Sequence, residues 1–68
     1  MTSRGDLITA AIQDALTLGE IDKNGRPRID YVALIALGLP LTALSLLELR
    51  GLDEIIDREM RRRNADQD

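Results

Sequence analysis

The sequence predicts an all-α fold of three to four helices: an amphipathic N-terminal helix, an αα-corner and a long C-terminal helix, associated as a homodimer. Three observations carry this. The apolar residues are mainly Leu, Ile and Ala, with Tyr31 the only aromatic, a composition that favours helix over strand. Apolar positions recur at helical spacing. The breaks fall at Gly19, Gly38 and Pro40, residue types that end one helix or begin the next.

The first helix is expected over residues 5–18. Leu7, Ile8, Ala11, Ile12, Ala15 and Leu16 form one stripe, with Thr9, Gln13, Asp14 and Thr17 opposite. Ser3 lies three residues before Asp6, a pattern resembling a capping box, and Gly19 stops the helix. Residues 20–28 (EIDKNGRPR) follow. Asn24-Gly25 signals a turn because both residues tolerate positive φ, while Pro27 discourages regular pairing. Two short extended pieces with Ile21 facing Ile29, or an irregular loop, fit equally.

The next helix spans 29–37, with Asp30 as its candidate cap. It is apolar on nearly every side, which reads as a buried helix. Gly38 ends it, and Pro40 suits the first turn of its successor, giving the αα-corner. One long helix is then expected from about 41 to 63. Its stripes are Leu46, Leu49, Leu52, Ile56 and Met60 on one side, and Leu44, Leu47 and Ile55 on another. The first stripe keeps phase through Gly51; a split there, with Asp53 as a cap, is the rival. Residues 64–68 should fray.

Sixty-eight residues make at most one domain, spanning 1–68. Such a chain buries only about 60% of its unfolded surface, and small domains add disulfides, metals or oligomerisation. The chain has no Cys and no His, which removes disulfides and Cys/His metal sites and leaves oligomerisation. The lack of Cys and of a leader-like segment in residues 1–20 fits a cytoplasmic bacterial or phage protein.

Residues 31–47 carry no charge, and nine of these seventeen are Leu, Ile or Val. A chain this small cannot cover such a stretch on every side, so a second surface is expected: another copy, another protein or lipid. The expected interaction surface is Leu39, Leu41, Leu46, Leu49, Leu52 and Ile56. Function then follows by elimination, as a non-enzymatic interaction module such as a small regulator, inhibitor or assembly subunit. No catalytic, cofactor or metal residues are assigned. Bases and nucleophiles of the His or Cys type are missing, and the calcium-loop-like Glu20-x-Asp22-x-Asn24-Gly25 places Pro27 and Tyr31 where an apolar residue and a carboxylate are required.

The alternative is a small dimeric regulator resembling a helix-turn-helix protein, contacting phosphate through Arg26, Arg28, Arg61, Arg62 and Arg63. The net charge of −3 opposes this on average. So does the pairing expected for the C-terminal arginines, Glu54 with Arg58 and Asp57 with Arg61. The segment LGLPLTALSLL at 37–47 resembles the helix start that follows the wing in MerR-type DNA-binding domains, and residues 22–26 resemble the wing turn. The spacing between them is shorter than in that family, and its reading helices are missing upstream. A membrane-associated protein is the third class. Seventeen helical residues reach roughly 25 Å, short of the roughly 30 Å hydrocarbon core, and Gly38 and Pro40 interrupt them.

Overall fold

The computed structural model describes residues 2–66. They form three α-helices: α1 (Arg4–Leu18), α2 (Ile29–Leu37) and α3 (Leu46–Asp66), with a 3₁₀ turn at Leu41–Ala43 before α3. No strand forms among the described residues.

The capping pattern at the start of the chain operates as expected. The Asp6 N–H donates to Ser3 Oγ at 3.1 Å, and the Ser3 N–H donates to the Asp6 carboxylate at 3.4 Å. Gly19 and Gly38 end α1 and α2 in the left-handed conformation, with φ of 79° and 70°, which glycine adopts without the Cβ clash that other residues meet. The cap of α2 departs from expectation. Arg28, in extended conformation, occupies the N-cap, and Asp30 lies inside the first turn. There it accepts from the Tyr31 N–H and pairs with Arg28.

Residues 20–28 make a small hairpin-like loop. Ile21 bridges Pro27, not Ile29. The flanking hydrogen bonds run from the Asp22 N–H to the Arg26 carbonyl and from the Arg28 N–H to the Glu20 carbonyl. Pro27 therefore sits where no N–H is required, which reconciles it with antiparallel pairing. The Asp22 carboxylate closes the turn by accepting from the Asn24 and Arg26 N–H groups. Only Gly25 takes a positive φ, so Asn24 is not used as the left-handed residue.

The expected helix 41–63 is corrected at both ends. The chain makes a 3₁₀ turn, becomes extended at Leu44, and starts α3 only at Leu46. The reason is Ser45-x-x-Glu48. The Glu48 N–H donates to Ser45 Oγ at 3.2 Å, and the Ser45 N–H donates to Glu48 Oε1 at 3.3 Å, a reciprocal cap that fixes the start. At the other end the helix runs past Arg63 to Asp66, so residues 64–66, expected to fray, are helical; the expectation for residues 67 and 68 lies outside the described residues. Gly51 does not break α3.

Ile8, Ala11, Ile12 and Ala15 of α1, Val32 and Ala33 of α2, Leu44, and Leu52 and Ile56 of α3 form the core. α1 packs most extensively against α2, with Ala11 and Ala15 among its buried residues. α2 returns antiparallel to α1: Arg28 hydrogen-bonds back to Glu20, while Leu37 shares a groove with Gly5 and Ile8. α1 also packs against α3, and α2 meets α3 only slightly. α2 is not the fully buried helix its composition suggests, since Leu34 and Ile35 are each more than half exposed. No helix of the described residues is long and apolar enough to cross a membrane.

Candidate interaction surface

The six residues expected to form one surface are divided by the fold. Leu52 and Ile56 are 1% exposed and belong to the core. Leu41 and Leu49 are partly buried and pack against it. Only Leu39 and Leu46 are exposed, Leu46 at 81%. The first α3 stripe is therefore mainly intramolecular, because α1 already covers it.

Other large apolar residues are exposed too, including Leu7, Leu18 and Ile21 away from this stretch. Leu47 is 80% exposed, and Leu34 and Ile35 join it from α2. The exposure of Leu46 and Leu47 follows from the cap. Ser45 makes them the first two residues of α3, and the Arg4–Glu48 ion pair (3.0 Å) marks where α1 begins alongside. α3 residues before Glu48 thus extend past α1. The Ser45-x-x-Glu48 pattern was the sequence signal for this. For Leu34 and Ile35 the uniform apolarity of α2 gave no signal, because an all-round apolar helix has no phase to mark its exposed side.

Two depressions adjoin this region. One, of about 250 Å³, lies between α1 and α3 and is lined by Gly5, Ile8, Leu37, Gly51, Leu52 and Ile55. The Arg4–Glu48 pair forms its polar edge. The other, of about 310 Å³, has Tyr31, Leu34, Pro40 and Leu41 against Glu20, Arg28 and Asp30. In both, apolar side chains are bordered by ion pairs.

The arginines proposed for phosphate are engaged unequally. Arg26 donates to Asp57 and, at 3.0 Å, to Asp53, one helical turn apart on α3. Arg28 grips Asp30 through two nitrogens and reaches Glu20 at 3.3 Å. The Asp30 contact, reinforced by Glu20, raises the Arg28 pKa, and the same contact lowers that of Asp30. Arg62 pairs with Glu59 at 2.8 Å; the expected Glu54–Arg58 and Asp57–Arg61 pairs do not form, and Asp57 turns to Arg26 instead. Arg61 and Arg63 are exposed without an ion pair among the described residues. No cluster of His, Cys, Asp or Glu among the described residues has the arrangement to hold a metal.

Compared with protein families, curated proteins and solved structures, the chain matches none. The MerR-type resemblance of residues 22–26 and 37–47 therefore has no support beyond those residues.

Proposed function

We propose that this protein is a non-enzymatic protein–protein interaction module that acts through the leucine-rich, uncharged stretch between α2 and α3. The observation that carries the reading is the exposure of Leu46 and Leu47 at about four-fifths each, together with the exposure of Leu34, Ile35 and Leu39. Large apolar surface rimmed by polar groups marks association sites on soluble proteins. In this reading α2 and α3 form an αα-corner through Gly38–Pro40 and the 3₁₀ turn, its outer side is the surface, and a two-fold homodimer is the simplest closed assembly. A small regulator, inhibitor or assembly subunit in the cytoplasm fits such a module.

The nucleic-acid alternative loses Arg26 and Arg28, whose guanidinium groups are held by carboxylates. It retains only the end of α3.

The test is the concentration dependence of the thermal midpoint. Association that stabilises the fold raises the midpoint with protein concentration, and the double change Leu46→Ser, Leu47→Ser should abolish that rise. A midpoint independent of concentration, with light scattering showing a monomer at micromolar to millimolar protein, refutes the self-association part of the reading.

A further inference from the structure

Gly51 is the anomaly from which a more specific inference starts. It lies inside α3 with an ordinary helical φ, and a Cβ built on it would meet nothing within 4 Å. Neither backbone strain nor intramolecular packing requires glycine there, yet glycine is among the poorest residues for a helix interior. Its side of α3 forms part of the apolar groove, and Gly5 of α1 faces the same groove. A Cβ on Gly5 would likewise have free space, its nearest neighbour being Ser3 Oγ at 3.8 Å. Two helices thus lack side chains where they border one depression, and nothing in the folded chain fills it.

Resting on the interaction reading above, we infer that this groove receives Leu47 of a second copy of the chain, and that Gly51 is glycine to admit it. Leu47 and Gly51 are four residues apart and share a face of α3. A protruding leucine therefore sits one turn from a vacant groove. That adjacency is what a two-fold interface requires: each copy inserts its leucine into the other's groove, and the same patch serves both partners.

The adjacency of knob and groove on one chain names a second copy as the occupant, and charge permits it. A two-fold axis sets residues near it against their own copies, so a charged patch repels itself. Residues 31–47 hold no charge, and the two charges bordering the groove, Arg4 and Glu48, neutralise each other at 3.0 Å. The lining of the groove therefore sets no net charge against its copy. A stable interface takes roughly 800 Å² per partner, about a sixth of the 4905 Å² surface. The groove, with Leu34, Ile35, Leu39, Leu46 and Leu47 near it in sequence, supplies the apolar part.

Sedimentation equilibrium on the full chain, with circular dichroism to check each variant's fold, tests this. Leu47→Ala should raise the dimer dissociation constant at least about tenfold, the effect of one buried leucine, and leave the monomer's midpoint unchanged. Gly51→Ala should raise the monomer's midpoint and weaken the dimer, and Gly51→Leu should weaken it further by filling the groove. If Gly51→Leu does not fold, Gly51→Ala decides. Wild-type affinity in the folded Gly51 variants overturns the inference; if Leu46→Ser, Leu47→Ser still dissociates the dimer, the interaction reading survives alone. A wild-type chain that stays monomeric overturns the inference together with the self-association on which it rests.

Discussion

The hairpin side of the molecule and the stretch between α2 and α3 solve opposite problems. Around the hairpin, charges are dense and matched within the chain. Arg26 bridges Asp53 and Asp57, Arg28 bridges Glu20 and Asp30, and Asp22 satisfies the turn's own N–H groups. Between α2 and α3 there are no charges, and large apolar side chains remain exposed. The first region matches most of its charges within the chain, though Leu18 and Ile21 beside it are also exposed; the second has only apolar surface to offer. Exposed ion pairs contribute little, typically about 0.2–1 kcal/mol, whereas burying a leucine contributes about 1.5–3 kcal/mol. Each visible ion pair is therefore worth little, while burial of one exposed leucine against a second surface would contribute more per residue.

The strongest test of that contrast lies within α3, which carries both kinds of leucine. Leu52 is 1% exposed and Leu47 is 80% exposed, five residues away. Leu52→Ala should cost about 2–5 kcal/mol, because it removes contacts and leaves a cavity, and in a domain this small that approaches the whole stability. Leu47→Ala should change the monomer's stability by less than about 0.5 kcal/mol. Urea unfolding at low protein concentration measures both. Similar losses would show that Leu47 is also packed within the monomer and would remove the contrast.

The same two residues show how far the sequence was legible. Helical periodicity and glycine breaks were enough for the all-α class and for the extents of α1 and α2, because both depend on local chemistry. The phase of Leu49, Leu52, Ile56 and Met60 was also readable, but not what that stripe faces. Whether a stripe meets α1 or a partner depends on where α1 begins beside α3, a tertiary fact fixed by contacts such as Arg4–Glu48. The start of α3 was legible in Ser45-x-x-Glu48 but was masked by the continuous apolar run around it. The partners of Arg26 could not be found from sequence, since Asp53 and Asp57 lie far along the chain and compete with local helix pairing.

On the hairpin side, Arg26→Gln should cost about 1 kcal/mol. Both carboxylates lose their shared partner and then repel each other at helical i,i+4 spacing. Since Arg26 is 36% exposed at its side chain, solvent and salt screen the contact, so the cost measured by denaturation should shrink toward 1 M salt. A salt-independent loss would point to packing of the Arg26 stem as the dominant contribution.

Acid should act at the hairpin side and at the start of α3 through carboxylates with lowered pKa values. Glu48 lies below its usual 4.5, chiefly through the Ser45 N–H and hydroxyl and further through Arg4, and Asp30 lies below 3.8 through Arg28 and the Tyr31 N–H. A depressed folded value means that the unfolded chain takes up protons first. Stability from these groups is complete above about pH 4.5 and is lost as the pH falls through the lower folded values. Glu48→Gln can keep the capping geometry while removing that titration, so its stability should decline less steeply below pH 4.5. An unchanged acid limb in this variant would assign the loss to other carboxylates.

The smallest effect is expected at the end of α3. Changing Arg61, Arg62 and Arg63 together to Gln removes one i,i+3 pair, Arg62–Glu59, and the favourable placement of cations near a helix C-terminus. Each contributes a few tenths of a kcal/mol and is screened by salt, so the summed loss should stay below about 1 kcal/mol and self-association should persist. The variant also sharpens the comparison between matched charge and unmatched apolar surface, because Arg61 and Arg63 have no ion-pair partner among the described residues and are the strongest remaining phosphate candidates. If they bind nucleic acid, wild-type binding to random duplex DNA should fall steeply with salt, and the triple variant should flatten that slope. Weak binding with no difference between the two proteins leaves the arginines as a solvated helix end. A steep slope lost with the three residues would move the function to α3's C-terminal turn and leave the leucines to build the dimer that presents it.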